Sequence, residues 1–570
     1  MLEICSRSSK LNREPNSACA RLIPLPDADI SPATPCMSRW LLPGLLLMLY
    51  AVQCLWFVET QSLTYDEPVH IAEGFDAWRN GRFEQYNDHP PLARLLCTLP
   101  VLGSKWQVEV QQFDQGFFVP RISPDPQALA LRTRGVNVVL GVLLGVFVWL
   151  ACRQLFSEGA ANFSLALFAF SPSLISHFSI VGTDGAATLF IFAAAWQVVR
   201  WRKNLDWRNG ILCGLLFGLL LLAKYSTLPI FGLAVFWILL LQRGEHPFNP
   251  LRWNWARAAA VVLIAFFVVW AGYFFHLSHL TVRDGTLQAT FPNWHETIVK
   301  PVRSPNYSVI VPAGEFIQGF REVMRHNRHG QPAYLLGQVS SSGRWKAYYP
   351  VAILLKWPLV VLVLTVFGVA LLMMRRVAAN SDVWLMLSFP ALYFPLALWA
   401  RFNLGERHVL PLYPFALVAT AAVWQNLSRS RAGKLLLLVL LGLNAIDVLR
   451  FAPGYLSYFT PFVRPSQTYR LLTDSNLDWG QGLLAVRQYE QQHPNERIRL
   501  AYFGSVDPTL YGVTARPLAE QERTTGTVIV GATQLSGQYL HDPAAYRWLL
   551  QYPVGEVLDH SMYVFRVPEP

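Results

Sequence analysis

Charge is scarce in this sequence. Only 15% of its 570 residues are Asp, Glu, Lys or Arg, and 53% are hydrophobic, whereas a soluble chain carries about a quarter charged residues. Cysteine is sparse too. Cys5, Cys19, Cys36, Cys54, Cys97, Cys152 and Cys213 show neither paired nor metal-ligand spacing, so neither a disulfide framework nor a cysteine-held metal is expected. No repeat of solenoid period is visible. Residues 1–36 are not expected to form a signal peptide, because the first apolar run begins late and no small-residue cleavage site follows it. Residues 1–36 are polar and aperiodic. They read as a disordered cytoplasmic tail or as a mis-called start, with translation beginning at Met37.

The missing charge is explained by long apolar runs. Trp40–Val58 and Val136–Cys152 contain no charged residue, and each approaches the roughly 20 residues that cross about 30 Å of hydrocarbon. Similar runs occupy Ala160–Phe178, Gly185–Val199, Gly210–Ala223, Leu228–Leu241, Ala258–Leu277, Val351–Met374, Val383–Trp399, Val409–Leu427 and Leu435–Leu449. The expected fold is therefore an all-α polytopic membrane domain of about eleven spans. With a cytoplasmic N-terminus, the basic connections at Arg39, Arg153, Arg200–Lys203, Arg243–Arg257, Arg375–Arg376 and Arg429–Lys434 all fall inside, as the positive-inside rule requires. The net charge of +11 is then a topology signal, and no basic patch remains for nucleic acid. The long loops Glu59–Leu131 and Ser278–Pro350 face outward with the C-terminal tail. The expected location is the cell (inner) membrane, multi-pass, with the N-terminus cytoplasmic and the C-terminal unit periplasmic or extracellular.

The domain reading is one membrane domain over 37–450 and a small α/β domain over 451–570. In the tail, Arg497–Phe503, Thr527–Val530 and Ser561–Val567 read as strands. Gly480–Gln492 and Pro543–Gln551 read as helices. Trp479, Tyr502, Phe503 and Trp548 are the candidate core of this unit.

Chemistry-bearing residues gather in the first outer loop. It reads Thr64-Tyr65-Asp66-Glu67-Pro68-Val69-His70, then Asp88-His89-Pro90-Pro91-Leu92-Ala93-Arg94. Two adjacent carboxylates beside a membrane repel each other, and partial burial raises the affinity of one for a proton, which suits a general base. The structural alternative is a helix start, since Asp before Glu-Pro is a common one.

Those two motifs together resemble the GT-C membrane glycosyltransferases, with protein O-mannosyltransferases and the bacterial aminoarabinose (lipid A) transferase as the most similar branches. Further matching pieces are Arg132-Thr133-Arg134, Ser171-Pro172, Gly182-Thr183-Asp184, Leu222-Ala223-Lys224 and Gly405-Glu406-Arg407-His408-Val409-Leu410-Pro411. The resemblance covers most of residues 40–450. It implies transfer of a sugar from a polyprenyl-phosphate carrier to an acceptor hydroxyl on the outer side, with inversion. The acceptor would be a protein, a lipid or a glycan.

On this resemblance Asp66 is the base and Glu67 orients the acceptor. The leaving phosphate needs positive charge and hydrogen bonds rather than a general acid, and His89, Arg132, Arg134, Lys224, Lys356, Arg401 and Arg407 are candidates to supply them. The alternative for each cation is simple snorkelling at a span end. Asp184 is either a helix N-cap or a second acidic group facing Asp66, with His70 beside it. Asp66, Glu67 and Asp184 would be the ligands of a divalent cation, should one bind; no cofactor is required by the resemblance.

Two departures bear on the acceptor. The loop Ser278–Pro350 is too short for the β-trefoil that protein O-mannosyltransferases carry there, and the chain lacks the Trp-Trp-Asp signature of oligosaccharyltransferases. Its tail segment Asp474-Ser475-Asn476-Leu477-Asp478-Trp479-Gly480-Gln481 is similar instead to carrier-lipid-dependent bacterial relatives, and is expected to form a turn and helix cap. The competing reading is a polar-lipid transporter or flippase without covalent transfer. Such a protein would place its charges near the bilayer midplane. A scaffold reading leaves the acidic loop unexplained.

Overall fold

A computed structural model describes residues 38–84, 88–104, 106–112, 118–123, 125–204, 206–240, 255–295, 297–377 and 381–569. The expected tail over 1–36 and most of the basic connection Arg243–Arg257 lie outside the described residues. The chain divides between Leu42 and Pro43 into two units, and apart from the start of the first helix the second carries everything below.

Every apolar run is helical. Five helices are individually long and apolar enough to cross a membrane: Trp40–Thr60, Pro126–Leu155, Trp255–Gly272, Ser381–Trp399 and Arg431–Leu449. Trp207–Ala223 and Leu228–Leu240 are apolar but shorter, and Thr183–Lys203 is a longer buried helix. The run Val351–Met374 is not one straight span. It splits into Tyr348–Lys356 and Leu359–Met373, which meet at 116°, because Pro358 lacks the amide proton that would continue the ladder. Ser171-Pro172 likewise breaks the third run into Glu158–Ala169 and Pro172–His177. The outer faces of the spans are apolar and uncovered, with Val366 71% and Ile446 68% exposed. A helix in water would turn such residues inward. The chain is a multi-pass membrane protein.

Between spans, small residues allow close approach. A Cβ on Gly218 would lie 2.3 Å from Val268, and one on Gly214 would lie 2.7 Å from Ile264. Helices Trp207–Ala223 and Trp255–Gly272 therefore pack backbone to side chain, as small-residue seams in membranes do.

The loop Ser278–Pro350 folds into a four-stranded antiparallel sheet and the helix Gly314–His329. The tail forms a five-stranded mixed sheet with Gly526–Gly531 at its centre, parallel to Ile498–Ala501 and antiparallel to Met562–Val567. All three strand expectations for the tail match these elements. Of the two helices, Leu483–Gln492 is α-helical, whereas Arg547–Gln551 is a short 3-10 turn. Of the four aromatics expected in the core of the tail, Trp548 packs against the cluster on one face of the sheet and Tyr502 against that on the other, but the other two need correction. Trp479 and Phe503 join the cluster that fills the membrane domain, while Leu472, Val528, Val530 and Phe565 pack one face of the sheet. The tail closes over the end of the bundle, which is why its aromatics point there.

Candidate active site

The first outer segment is fixed by one buried knot. Arg134 Nε and Nη2 donate to Glu67 Oε1 and Oε2 at 2.8 and 2.6 Å, and its Nη1 and Nη2 also reach the carbonyls of Gln61 and Ser62 at 2.8 Å each. Glu67 accepts further bonds from the amides of Thr64 (2.7 Å) and Val181 (2.8 Å). Both side chains are fully buried. Glu67 thereby accepts four hydrogen bonds and Arg134 donates four, which offsets the burial of the ion pair. Glu67 and Arg134 are therefore taken out of the cavity, against the sequence expectation that they would orient acceptor and carrier phosphate.

Asp66 sits at the N-cap position of helix Glu67–Asn80 but makes no capping bond. Its Oδ2 faces Arg407 Nη1 at 3.0 Å instead. The helix start and the functional candidate are the same residue, with its side chain free of any capping bond. The tail holds the backbone beside it: the Tyr65 amide donates to Trp479 O at 2.8 Å, and Ser505 Oγ donates to Tyr65 O at 2.6 Å.

Asp66 lines a cavity of about 860 Å³ with His70, Asp88, His89, Asp184, Lys224, Arg407 and His408. Asp184 does not cap its helix; Gly182 holds the N-cap position, and Asp184 Oδ1 pairs with Lys224 Nζ. Two buried nitrogens on this wall are unpaired among the described residues, the Arg407 Nε donor and His408 Nε2. Buried polar groups are nearly always paired, so orphans in a cavity point to a ligand. Leu228, Val323, Met324, Leu396 and Trp399 line another part of the cavity, and Trp399 is 81% exposed, so the cavity opens beside an apolar rim. The cavity thus joins charge, donors and an oily wall.

Tail residues complete it. Asp474, Trp479, Phe503, Ser505 and Tyr539 all line the cavity. Tyr65, Phe503 and Tyr539 stack at 5.1 and 5.2 Å between centroids, Tyr539 donates to Asp474, and the Arg407 guanidinium lies 4.1 Å over Trp479. Burial pushes the Asp474 carboxyl up to about 6 and that of Asp478 up to about 7. Asp478 accepts from the amides of Thr533 and Gly480 at 3.0 and 3.2 Å, a turn-holding role that agrees with the expected turn. Of these cavity residues, only the Asp474–Gln481 motif signalled itself in the sequence. His408 lies inside the matched motif Gly405–Pro411 without being singled out, Phe503 stood out only as a core aromatic, and Tyr539 carried no local signal.

Three expected phosphate ligands lie elsewhere. Lys356 Nζ donates to the carbonyls of Leu456 (2.8 Å), Asn476 (2.6 Å) and Tyr458, stitching the bent span to the tail. Arg132 stacks over Trp106 at 4.7 Å, and Arg401 Nη1 donates to Arg328 O at 2.5 Å. None of the three lines the cavity. The divalent-cation expectation fares no better on donor chemistry. Glu67 is bound to Arg134, Asp66 to Arg407 and Asp184 to Lys224, and among the described residues no group of three His, Cys, Asp or Glu gathers as a metal site does. The three carboxylates do not fit a shared ion.

The family model described as dolichyl-phosphate-mannose-protein mannosyltransferase matches residues 129–271. No curated protein matches the sequence. Among solved structures, the chain is similar to the protein O-mannosyltransferase Pmt1-Pmt2 complex of S. cerevisiae bound to the sugar donor, at 11% identity and TM-score 0.48, covering 74% of this chain and 90% of that one. It is also similar to ArnT from Cupriavidus metallidurans bound to undecaprenyl phosphate, at 11% identity and TM-score 0.46 over 93% of this chain and 98% of that one. A third is the Archaeoglobus fulgidus oligosaccharyltransferase, at 12% identity and TM-score 0.43, covering 90% and 69%.

Proposed function

We propose that this chain is a GT-C membrane glycosyltransferase that moves a sugar from a polyprenyl-phosphate carrier to an acceptor hydroxyl on the outer face of the membrane. The observation that carries the reading is the composition of one cavity. It puts a carboxylate (Asp66), two cations (Lys224 and Arg407) and unpaired buried nitrogens in one cavity with an apolar wall that opens beside Trp399. A lipid-linked sugar phosphate has this same division of properties. The match of residues 129–271 to a lipid-phosphate-sugar transferase family supports it independently.

In the reaction, the acceptor oxygen attacks the anomeric carbon from the face opposite the phosphate, so the product is inverted. Asp66 Oδ1, which has no hydrogen-bond partner among the described residues, takes the hydroxyl proton as the new C–O bond forms. The bond from the anomeric carbon to phosphate breaks, and its electron pair leaves with the polyprenyl phosphate. Arg407 Nε and the free protons of the Lys224 ammonium take up that charge, helped by His89. Arg407 and Lys224 are already shared with Asp66 and Asp184, so the phosphate adds to an existing network instead of meeting bare cations. The acceptor is a hydroxyl of a protein, lipid or glycan.

The direct test is in vitro transfer from a radiolabelled polyprenyl-phosphate sugar by wild type and Asp66→Asn. Loss of transfer with carrier binding intact is the expected outcome. Retained turnover by the variant sinks the catalytic assignment. Uptake of the labelled lipid into proteoliposomes without covalent transfer would replace the whole reading by transport.

A further inference from the structure

His70 and Glu73 stand one turn apart on helix Glu67–Asn80, and Arg94 from helix Leu92–Thr98 joins them. The Arg94 guanidinium pairs with Glu73 through Nη1, and its Nε donates to His70 Nδ1 at 3.3 Å. A guanidinium can only donate. Nδ1 of His70 must therefore accept, and the single ring proton must reside on Nε2. A second proton on Nδ1 would point at the Arg94 N–H, so the arrangement also excludes the imidazolium. Burial works in the same direction, and with the Arg94 charge it holds His70 well below the usual histidine range.

The ring itself lines the cavity. It is 6% exposed, its centroid lies 5.6 Å from that of His89, and Nε2 has no hydrogen-bond partner among the described residues. Arg407, Lys224 and Asp184 are the other charged groups that act on it. An obligate donor beside two cations fits an anionic oxygen and cannot serve as a base.

We propose that His70 is a neutral Nε2–H donor, locked in that tautomer by Arg94, which hydrogen-bonds a phosphate oxygen of the lipid carrier. This rests on reading the cavity as the carrier site. It separates His70 from the acid–base chemistry assigned to Asp66 and gives the Asp-Glu-Pro-Val-His and His-Pro-Pro-Leu-Ala-Arg segments one joint task. The second segment supplies the arginine that fixes the histidine of the first.

The experiment titrates the purified full-length protein with a short-chain polyprenyl phosphate. His70→Gln keeps an N–H donor near the Nε2 position, and His70→Leu removes it at similar volume. The Leu variant should bind about ten- to hundredfold more weakly, the scale of a hydrogen bond to a charged acceptor, and the Gln variant should stay within about threefold of wild type. Equal binding by wild type and the Leu variant, or equal loss in both variants, overturns the assignment of His70 while leaving the carrier site standing. Failure of wild type to bind the phosphate overturns the carrier reading and this inference with it. Imidazole nitrogen NMR of ¹⁵N-histidine-labelled wild type gives a check that needs no stable variant of His70. One resonance pair assigned to the neutral Nε2–H form should persist between about pH 6 and 8, and an imidazolium signal from His70 in that range defeats the proposal.

Discussion

Arg407 Nη1 lies 3.0 Å from Asp66 Oδ2, and the same guanidinium rests 4.1 Å above the ring of Trp479. One carboxylate of the first outer loop is thus held by a cation just before the tenth apolar run, Val409–Leu427, and that cation is itself backed by an indole from the tail. The arrangement fixes Oδ2 of a residue that lines the cavity. It also makes the tail part of the site.

Removing Arg407 should therefore act on two steps. Arg407→Ala is expected to lower transfer by about a hundredfold or more, through loss of phosphate charge stabilisation and of the Asp66 orientation. Arg407→Lys should recover only part of it, because an ammonium cannot bridge Asp66 and stack on Trp479 together. Steady-state transfer assays with separate kcat and KM check this, and full rescue by Lys would refute the stacking role.

Glu67 and Arg134 are expected to matter for folding. Glu67→Ala or Arg134→Ala leaves the other charge buried and unpaired, at a cost of about 3–5 kcal/mol. The measurement is thermal unfolding of the detergent-solubilised protein. A Glu67→Ala variant with wild-type stability and no transfer would return Glu67 to the reaction.

Lys356 makes the same kind of prediction. Lys356→Met strands three buried carbonyls, each worth about 1–3 kcal/mol when unsatisfied, and loosens the join between the bent span and the tail. Whatever folds should bind polyprenyl phosphate as wild type does. A selective loss of binding at unchanged stability would place Lys356 on the ligand.

Gly74 is a packing prediction. A Cβ there would sit 2.5 Å from Arg94 O and 2.6 Å from Thr98 Cγ2. Gly74→Ala must push helix Leu92–Thr98 away at a cost of about 1–3 kcal/mol, and Arg94 moves with it. Unfolding temperature reads the first effect and carrier binding the second; an unchanged value of both would contradict the close contact.

Asp478 gives a pH dependence. Its pKa is raised from the ordinary carboxylate value to about 7 by burial, so between the two values the folded state binds more protons than the unfolded one. Stability contributed by this group is therefore full in acid and falls as pH rises through the window from 3.8 to about 7. The span corresponds to a loss on the order of 4 kcal/mol. The difference between the unfolding profiles of wild type and Asp478→Asn across this range isolates it. A difference that grows in the opposite direction would show that the carboxylate form is the stabilised one.

The sequence alone determined the membrane character, the places of the helices and the strands of the tail. Those properties follow from local quantities: the length of an apolar run, alternation, and the company of Pro and Gly. It also marked Asp66, His89, Lys224, Asp184 and Arg407 as residues of interest, and all five line one cavity. Composition and spacing could not distinguish Asp66 from Glu67, which are neighbours of like charge; only the family resemblance assigned them different roles. Only the tertiary structure turned one toward Arg134 in a sealed interior and the other toward Arg407 in the cavity. Composition and spacing could not sort the cations either, because Lys356, Arg134 and Lys224 all stand near span ends, and what separates them is whether carbonyls and carboxylates from distant segments have already claimed their donors. The bend at Pro358 was written in the chain; its direction, and the closing of the tail over the bundle with Trp479 and Phe503 inward, were decided by packing between segments far apart in sequence.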